Sequence, residues 1–115
     1  MHRPLRLLFV CSRARRRSAT AEMIFGDVPG LEAMAAGTAP DADVPLDAAT
    51  IEWADHVLVM EDVHRARLNR QFPEQLRGKR VTVLGIADRY ACMDPALIRL
   101  LRERVGRLVP EARPS

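Results

Sequence analysis

Leu7-Leu8-Phe9-Val10-Cys11-Ser12-Arg13-Ala14-Arg15-Arg16-Arg17-Ser18 sets an apolar run against a cluster of arginines, with a cysteine at the boundary and an arginine and a serine just beyond it. The apolar part, Leu5 to Val10, is short and nearly continuous, which predicts a strand in the middle of a parallel sheet. Ser18 to Phe25 places Ala21, Ile24 and Phe25 on one face, with Gly26 near the end, and predicts a helix. Between them lies a loop long enough to wrap one oxyanion. A thiolate, a guanidinium, a row of backbone N–H groups and a helix N-terminus then converge on that point.

The alternation of strand and helix continues outward. Leu31 to Ala36 reads as a weaker second strand, because Ala and Met are poor strand formers. Gly37 to Pro45 holds Gly, Pro and Asp and reads as a loop. Asp47 is placed as a helix N-cap, with Leu46 before it and Ile51 after it as a hydrophobic staple, for a helix running to about Ala54. His56 to Met60 is the third strand, Glu61 to Phe72 the next helix, ended by Pro73, and Arg80 to Leu84 the fourth strand. After the loop Gly85 to Met93, Asp94-Pro95 reads as an N-cap with proline at the first helical position, and Leu97, Ile98, Leu101, Val105 and Leu108 recur at helical spacing. This order predicts a doubly wound three-layer α/β sandwich with a four-stranded parallel sheet. Ligands of such sheets lie outside the carboxyl ends of the strands, so Cys11 and Asp88 are expected in one crevice.

Composition narrows the class. The 115 residues are expected to form one domain with an ordinary core, with a frayed tail over Pro110 to Ser115. Two cysteines make no disulfide framework, and no run approaches the ~20 apolar residues of a membrane span. Met1-His2-Arg3-Pro4 leads into a run too short for a signal peptide. Together these point to a reducing cytoplasm, where a cysteine is catalytic or inert rather than bridged. The formal charge of +3 comes almost wholly from arginine, Lys79 being the one lysine. Arg13, Arg15, Arg16 and Arg17 give the first loop a field attractive to anions. The scarcity of aromatic platforms argues against nucleic acid.

The residues divide the work of phosphate ester chemistry among themselves. Cys11 is the candidate nucleophile, at a helix N-terminus beside cations, a setting that favours thiolate. Arg17 is the candidate fork for two phosphoryl oxygens, a geometry lysine does not reproduce. Ser18 is placed to donate to the sulfur. Asp88 is the candidate general acid and base, with Asp94 as competitor, although Asp94 is explained as a cap beside Pro95. The loop Cys11-Ser12-Arg13-Ala14-Arg15-Arg16-Arg17-Ser18 supplies the N–H groups, with inorganic phosphate or sulfate as its simplest ligand. His2, His56 and His64 lack metal-ligand spacing and read as surface or packing residues, and Trp53 as core or rim. No metal and no cofactor is expected.

The chain resembles the low-molecular-weight protein tyrosine phosphatases through Phe9-Val10-Cys11, the Cys-x5-Arg-Ser spacing ending at Arg17-Ser18, Thr20-Ala21-Glu22, Ala36-Gly37-Thr38, Ala54 to Met60, and Ile86-Ala87-Asp88-Arg89-Tyr90. The resemblance implies that family's fold and a hydrolase of phosphorylated proteins or small phosphate esters acting through a phosphocysteine on Cys11. It carries the phosphate-binding arginine to Arg17, the supporting serine to Ser18, the general acid to Asp88 and an aromatic pocket wall to Tyr90, with Arg13 also in the pocket. The chain departs from the pattern inside the loop, where Gly and Asn are Arg13 and Ala14. An Ala held left-handed costs about 1 kcal/mol and has no amide to brace the loop. The segment after Thr38 is shorter, which implies a shallower, more basic pocket. Two other readings are a non-catalytic module binding phosphate or a phosphoprotein, and a thioredoxin-coupled arsenate reductase using Cys11 and Cys92.

Overall fold

A computed structural model describes residues 3–113. Four strands, β1 (Leu5–Cys11), β2 (Leu31–Gly37), β3 (His56–Val59) and β4 (Arg80–Val83), form a fully parallel sheet in the order β2-β1-β3-β4. Helices α1 (Arg17–Gly26), α2 (Ala48–Trp53), α3 (Asp62–Gln71), α4 (Pro73–Leu76) and α5 (Pro95–Leu108) alternate with them. The side chains of β1 divide by parity, as a pleated strand requires. Leu7, Phe9 and Cys11 join Ala21 and Phe25 of α1 and Leu97, Leu101 and Val105 of α5 in one cluster. Leu8 and Val10 join Ile51 of α2 and Leu68 of α3 in the other. Both faces of β1 are therefore covered, and the expected three-layer α/β sandwich is present.

Some elements form for reasons that local propensity does not reveal. The weak β2 sequence is held by pairing with β1 along its whole length, from Leu5 with Leu31 to Cys11 with Gly37. Its outward N–H at Ala35 donates to Glu22 Oε2 of α1 at 2.9 Å, which answers the edge-strand problem locally. Pro73 does more than stop the preceding helix, since it opens the one-turn α4 at a first helical position. The tail expected to fray instead continues as a 3-10 turn over Pro110–Ala112, with Ala112 buried and Arg113 Nε donating to Gly106 O at 2.7 Å. His2 and the last two positions of that tail lie outside the described residues.

From β1 the chain moves outward to β2 and then returns to the other side of β1 for β3, so the carboxyl ends of β1 and β3 flank the topological switch point. Gly37 stands opposite Cys11 there. A Cβ at this position would lie 2.5 Å from Ser12 O and 2.6 Å from Ala42 Cβ, so the loop after β1 can cross β2 only over a glycine. Gly37→Ala is expected to cost about 1–3 kcal/mol, through overpacking against backbone that cannot retreat. Urea denaturation checks the cost, and an unchanged midpoint would contradict the crossing.

Candidate active site

Cys11 ends β1, and the chain turns through Ser12 to Arg16 before α1 begins. The first turn of α1 has neither a side-chain cap nor an acidic residue, so nothing local neutralises its N-terminal amides. Ala14 adopts φ +61°, the left-handed conformation anticipated for this substitution, and its N–H donates to Cys11 Sγ at 3.2 Å. Ser18 Oγ lies 2.9 Å from the same sulfur. The thiol is thus held from two sides by groups able to donate to a thiolate.

The loop lacks an internal amide brace and is braced from outside. Thr38 N donates to Cys11 O at 2.9 Å, Ala39 N to Ser12 O at 2.9 Å and Asp43 N to Arg13 O at 3.0 Å. The same segment places Asp41 on Arg13 and Asp43 on Arg15, the latter at 2.9 Å. The hydrogen bond from Arg13 holds the Asp41 carboxyl below its ordinary range. Two of the loop's four arginines are therefore paired by this segment. Arg16 is exposed and has no carboxylate partner among the described residues.

Arg17 is buried. Its Nη1 donates to Glu61 Oε1 at 2.5 Å and to Ile86 O at 2.7 Å. Asp88 Oδ1 lies 3.8 Å from its Nε. Cys11, Arg17 and Asp88 line one cavity of about 230 Å³. The Asp88 segment is tied to α1 by Thr20, whose Oγ1 donates to Arg16 O at 2.7 Å and accepts from Met93 N at 2.9 Å. Asp94 is occupied as the α5 cap, accepting from Ala96 N at 2.8 Å.

Tyr90 does not line the cavity. It packs against the α1 and α5 cluster, with the Arg89 guanidinium 5.7 Å from its ring centroid. Cys92 is exposed and lies beside Thr20, its sulfur 3.7 Å from Thr20 Oγ1. Among the described residues no group of three or more His, Cys, Asp or Glu is arranged to hold a metal, and no helix is long and apolar enough to cross a membrane.

Glu61 and His64 were not singled out in the sequence as site residues. They form a capping box at the start of α3, the Glu61 carboxylate accepting from His64 N while Glu61 N donates to His64 Nδ1 at 3.0 Å. Because Nδ1 accepts, Nε2 carries the ring proton and donates to Ser12 Oγ, 3.1 Å away. One helix terminus thus grips the loop at Ser12 and at Arg17. The available signal was Glu61-x-x-His64 directly after the third strand, but histidine is an unusual partner in a capping box.

Burial first, and then the Arg17 guanidinium, push His64 down from 6.5 to about 4, with Glu61 and Asp88 pulling weakly the other way. His56, hydrogen-bonded to Thr82 Oγ1 at 2.8 Å, is pushed to about 4 by burial and Arg80. Between pH 6.5 and about 4 the unfolded chain binds protons that the folded chain refuses, so stability falls as pH falls through this window. Thermal melts across that range are expected to show Tm dropping, with a shallower slope in His64→Gln. A slope identical to wild type would contradict the burial of a neutral imidazole. Ala14→Gly, which removes the left-handed Cβ, is expected to stabilise by about 1 kcal/mol in the same melts.

No protein-family model matches the chain, and no curated protein is similar to it in sequence. Solved structures do match. YwlE arginine phosphatase from Geobacillus stearothermophilus is 23% identical with a TM-score of 0.73, over 93% of this chain and 94% of that one. Wzb from Vibrio vulnificus, in complex with benzylphosphonate, is 23% identical with a TM-score of 0.74, over 93% and 98%. The tyrosine phosphatase Wzb from Escherichia coli K30, in complex with phosphate, is 24% identical with a TM-score of 0.73, over 92% and 96%. The chain has the fold of the low-molecular-weight protein tyrosine phosphatases.

Proposed function

We propose that this protein is a phosphate monoester hydrolase acting through a phosphocysteine on Cys11, without a metal or cofactor. The observation that carries the reading is the meeting of the Cys11 sulfur, the Nε edge of Arg17 and the Asp88 carboxyl in one cavity, with Ser18 2.9 Å behind the sulfur. The neighbours named as tyrosine or arginine phosphatases share the fold, and those bound to phosphate and benzylphosphonate support a phosphoryl ligand.

In the first step the Cys11 thiolate attacks phosphorus. The S–P bond forms, the P–O bond to the leaving group breaks, and Asp88 protonates the departing oxygen. The loop N–H groups and the Arg17 fork compensate the charge on the equatorial oxygens. In the second step Asp88 takes a proton from water, which attacks phosphorus. The S–P bond breaks, inorganic phosphate leaves, and Ser18 donates to the restored thiolate. Glu61, bonded to Nη1 of Arg17, positions the fork so that Nε and Nη2 face the phosphoryl group. A catalytic thiol of this kind requires a reducing compartment such as the cytoplasm.

Hydrolysis of p-nitrophenyl phosphate, with and without EDTA, tests the reading. Cys11→Ser is expected to lower kcat by on the order of a thousandfold, Arg17→Lys to lower kcat/KM by roughly a hundredfold, and EDTA to change nothing. Asp88→Asn is expected to lose about a hundredfold on alkyl phosphates and much less on p-nitrophenyl phosphate, whose leaving group needs little protonation. Turnover unchanged in Cys11→Ser overturns the mechanism. Phosphate binding without turnover assigns a binding module, and arsenate turnover with a trapped Cys11 to Cys92 disulfide assigns an oxidoreductase.

A further inference from the structure

The cavity is lined by cysteine, serine and charged residues, with no aromatic among them. Beyond Cys11, Arg17 and Asp88 the lining consists of Ser12, Arg13, Arg15 and Arg16. The chain has three phenylalanines, one tryptophan and one tyrosine, and every one of them is committed elsewhere. Phe9 and Phe25 stack on each other at 5.5 Å in the α1 and α5 cluster, where Tyr90 also packs. Trp53 and Phe72 cover the opposite face of the sheet. An aryl leaving group therefore meets no aromatic side chain in the lining, although ring–ring contact is part of what such a group gains on binding. Arg13 and Arg15, whose guanidinium planes are the kind that stack on a ring, are held by Asp41 and Asp43.

Two polar groups remain available at the wall. His64 Nε2 donates to Ser12 Oγ, so the Ser12 hydroxyl must direct its own proton elsewhere, and Ser12 faces the cavity. Arg16 presents a guanidinium without a carboxylate partner among the described residues. A guanidinium leaving group would meet like charge at this wall. A carboxylate or second phosphate would meet the one unpaired cation.

Resting on the hydrolase reading above, we propose that the substrate is a small alkyl phosphate monoester carrying a second anionic group a few bonds from the ester. Arg16 pairs with that anion and the Ser12 hydroxyl donates to an oxygen of the leaving group. The chemistry is unchanged: the P–O bond to the alkyl oxygen breaks, that oxygen takes the Asp88 proton, and water later releases phosphate. All the determinants lie within residues 12–17 and so beside the phosphate itself, which fits a small molecule rather than an extended peptide.

The test uses the intact protein and a pair of esters that differ mainly in the second anion, glycerol 3-phosphate and 3-phosphoglycerate, with phosphotyrosine and an acidic phosphoserine peptide alongside. We expect kcat/KM for 3-phosphoglycerate to exceed that for glycerol 3-phosphate and for phosphotyrosine by at least about tenfold. Arg16→Ala is expected to bring the first ratio close to one. Equal rates for the ester pair, a preference for phosphotyrosine, or a higher kcat/KM for the acidic peptide overturns the proposal while leaving p-nitrophenyl phosphate hydrolysis, and so the hydrolase reading, in place. If no ester is turned over, the hydrolase reading fails. Calorimetric binding of the same ester pair to the Cys11→Ser protein then decides the ligand class: about tenfold tighter binding of 3-phosphoglycerate upholds a second anion, and equal binding rejects it.

Discussion

Three backbone hydrogen bonds from the segment after β2 to the carbonyls of Cys11, Ser12 and Arg13 hold the loop after β1 in place, and the candidate site depends on them. They form because Cys11 and Gly37 are partners in the sheet register and Gly37 lets the two chains cross without a side chain between them. With the carbonyls turned outward to these donors, the amides of the loop are free to face the other way. Ala14 can then occupy a left-handed conformation, because external contacts outweigh its steric cost. In that conformation the Ala14 N–H donates to the sulfur. The segment from Thr38 to Asp43 thus braces the loop from outside.

Charge is arranged by the same segment. Four arginines in a loop of six residues would repel one another, and Asp41 and Asp43 answer two of them from outside. These pairs are exposed and each contributes little to stability. Their consequence is direction: Arg13 and Arg15 are oriented toward carboxylates, Arg17 is buried against Glu61 and Ile86, and Arg16 is exposed with no carboxylate partner among the described residues. The fold is shared by solved structures named as phosphatases of tyrosine and of arginine.

Much of this was legible in the residues. The buried run before Cys11, the Asp47 and Asp94 caps, the Leu46 and Ile51 staple and Pro95 at the start of α5 are local signals, and each corresponds to what the chain does. The left-handed Ala14 was anticipated too, from the resemblance that places Gly and Asn where this loop has Arg13 and Ala14. Less legible were the outcomes governed by distant partners. Pro73 opens a helix because the backbone after α3 turns back against α2 rather than running on. Pro110 to Arg113 stays folded because Ala112 and the Arg113 side chain find buried partners. Tyr90 turned to the core because apolar surface was available there and its ring gains more by covering it than by standing at a polar rim.

By itself the sequence determined the alternation of strands and helices, the order of the site residues along the chain, and the spacing that places Cys11, Arg17 and Ser18 on one loop. Those features depend on periodicity, turn chemistry and capping, which act over a few residues. Only the tertiary structure decided which arginines are paired, which helix terminus grips the loop, and that Glu61 and His64 belong to the site at all. Each of those outcomes joins residues 28 to 52 positions apart, and such pairs meet only after the parallel sheet has set its register.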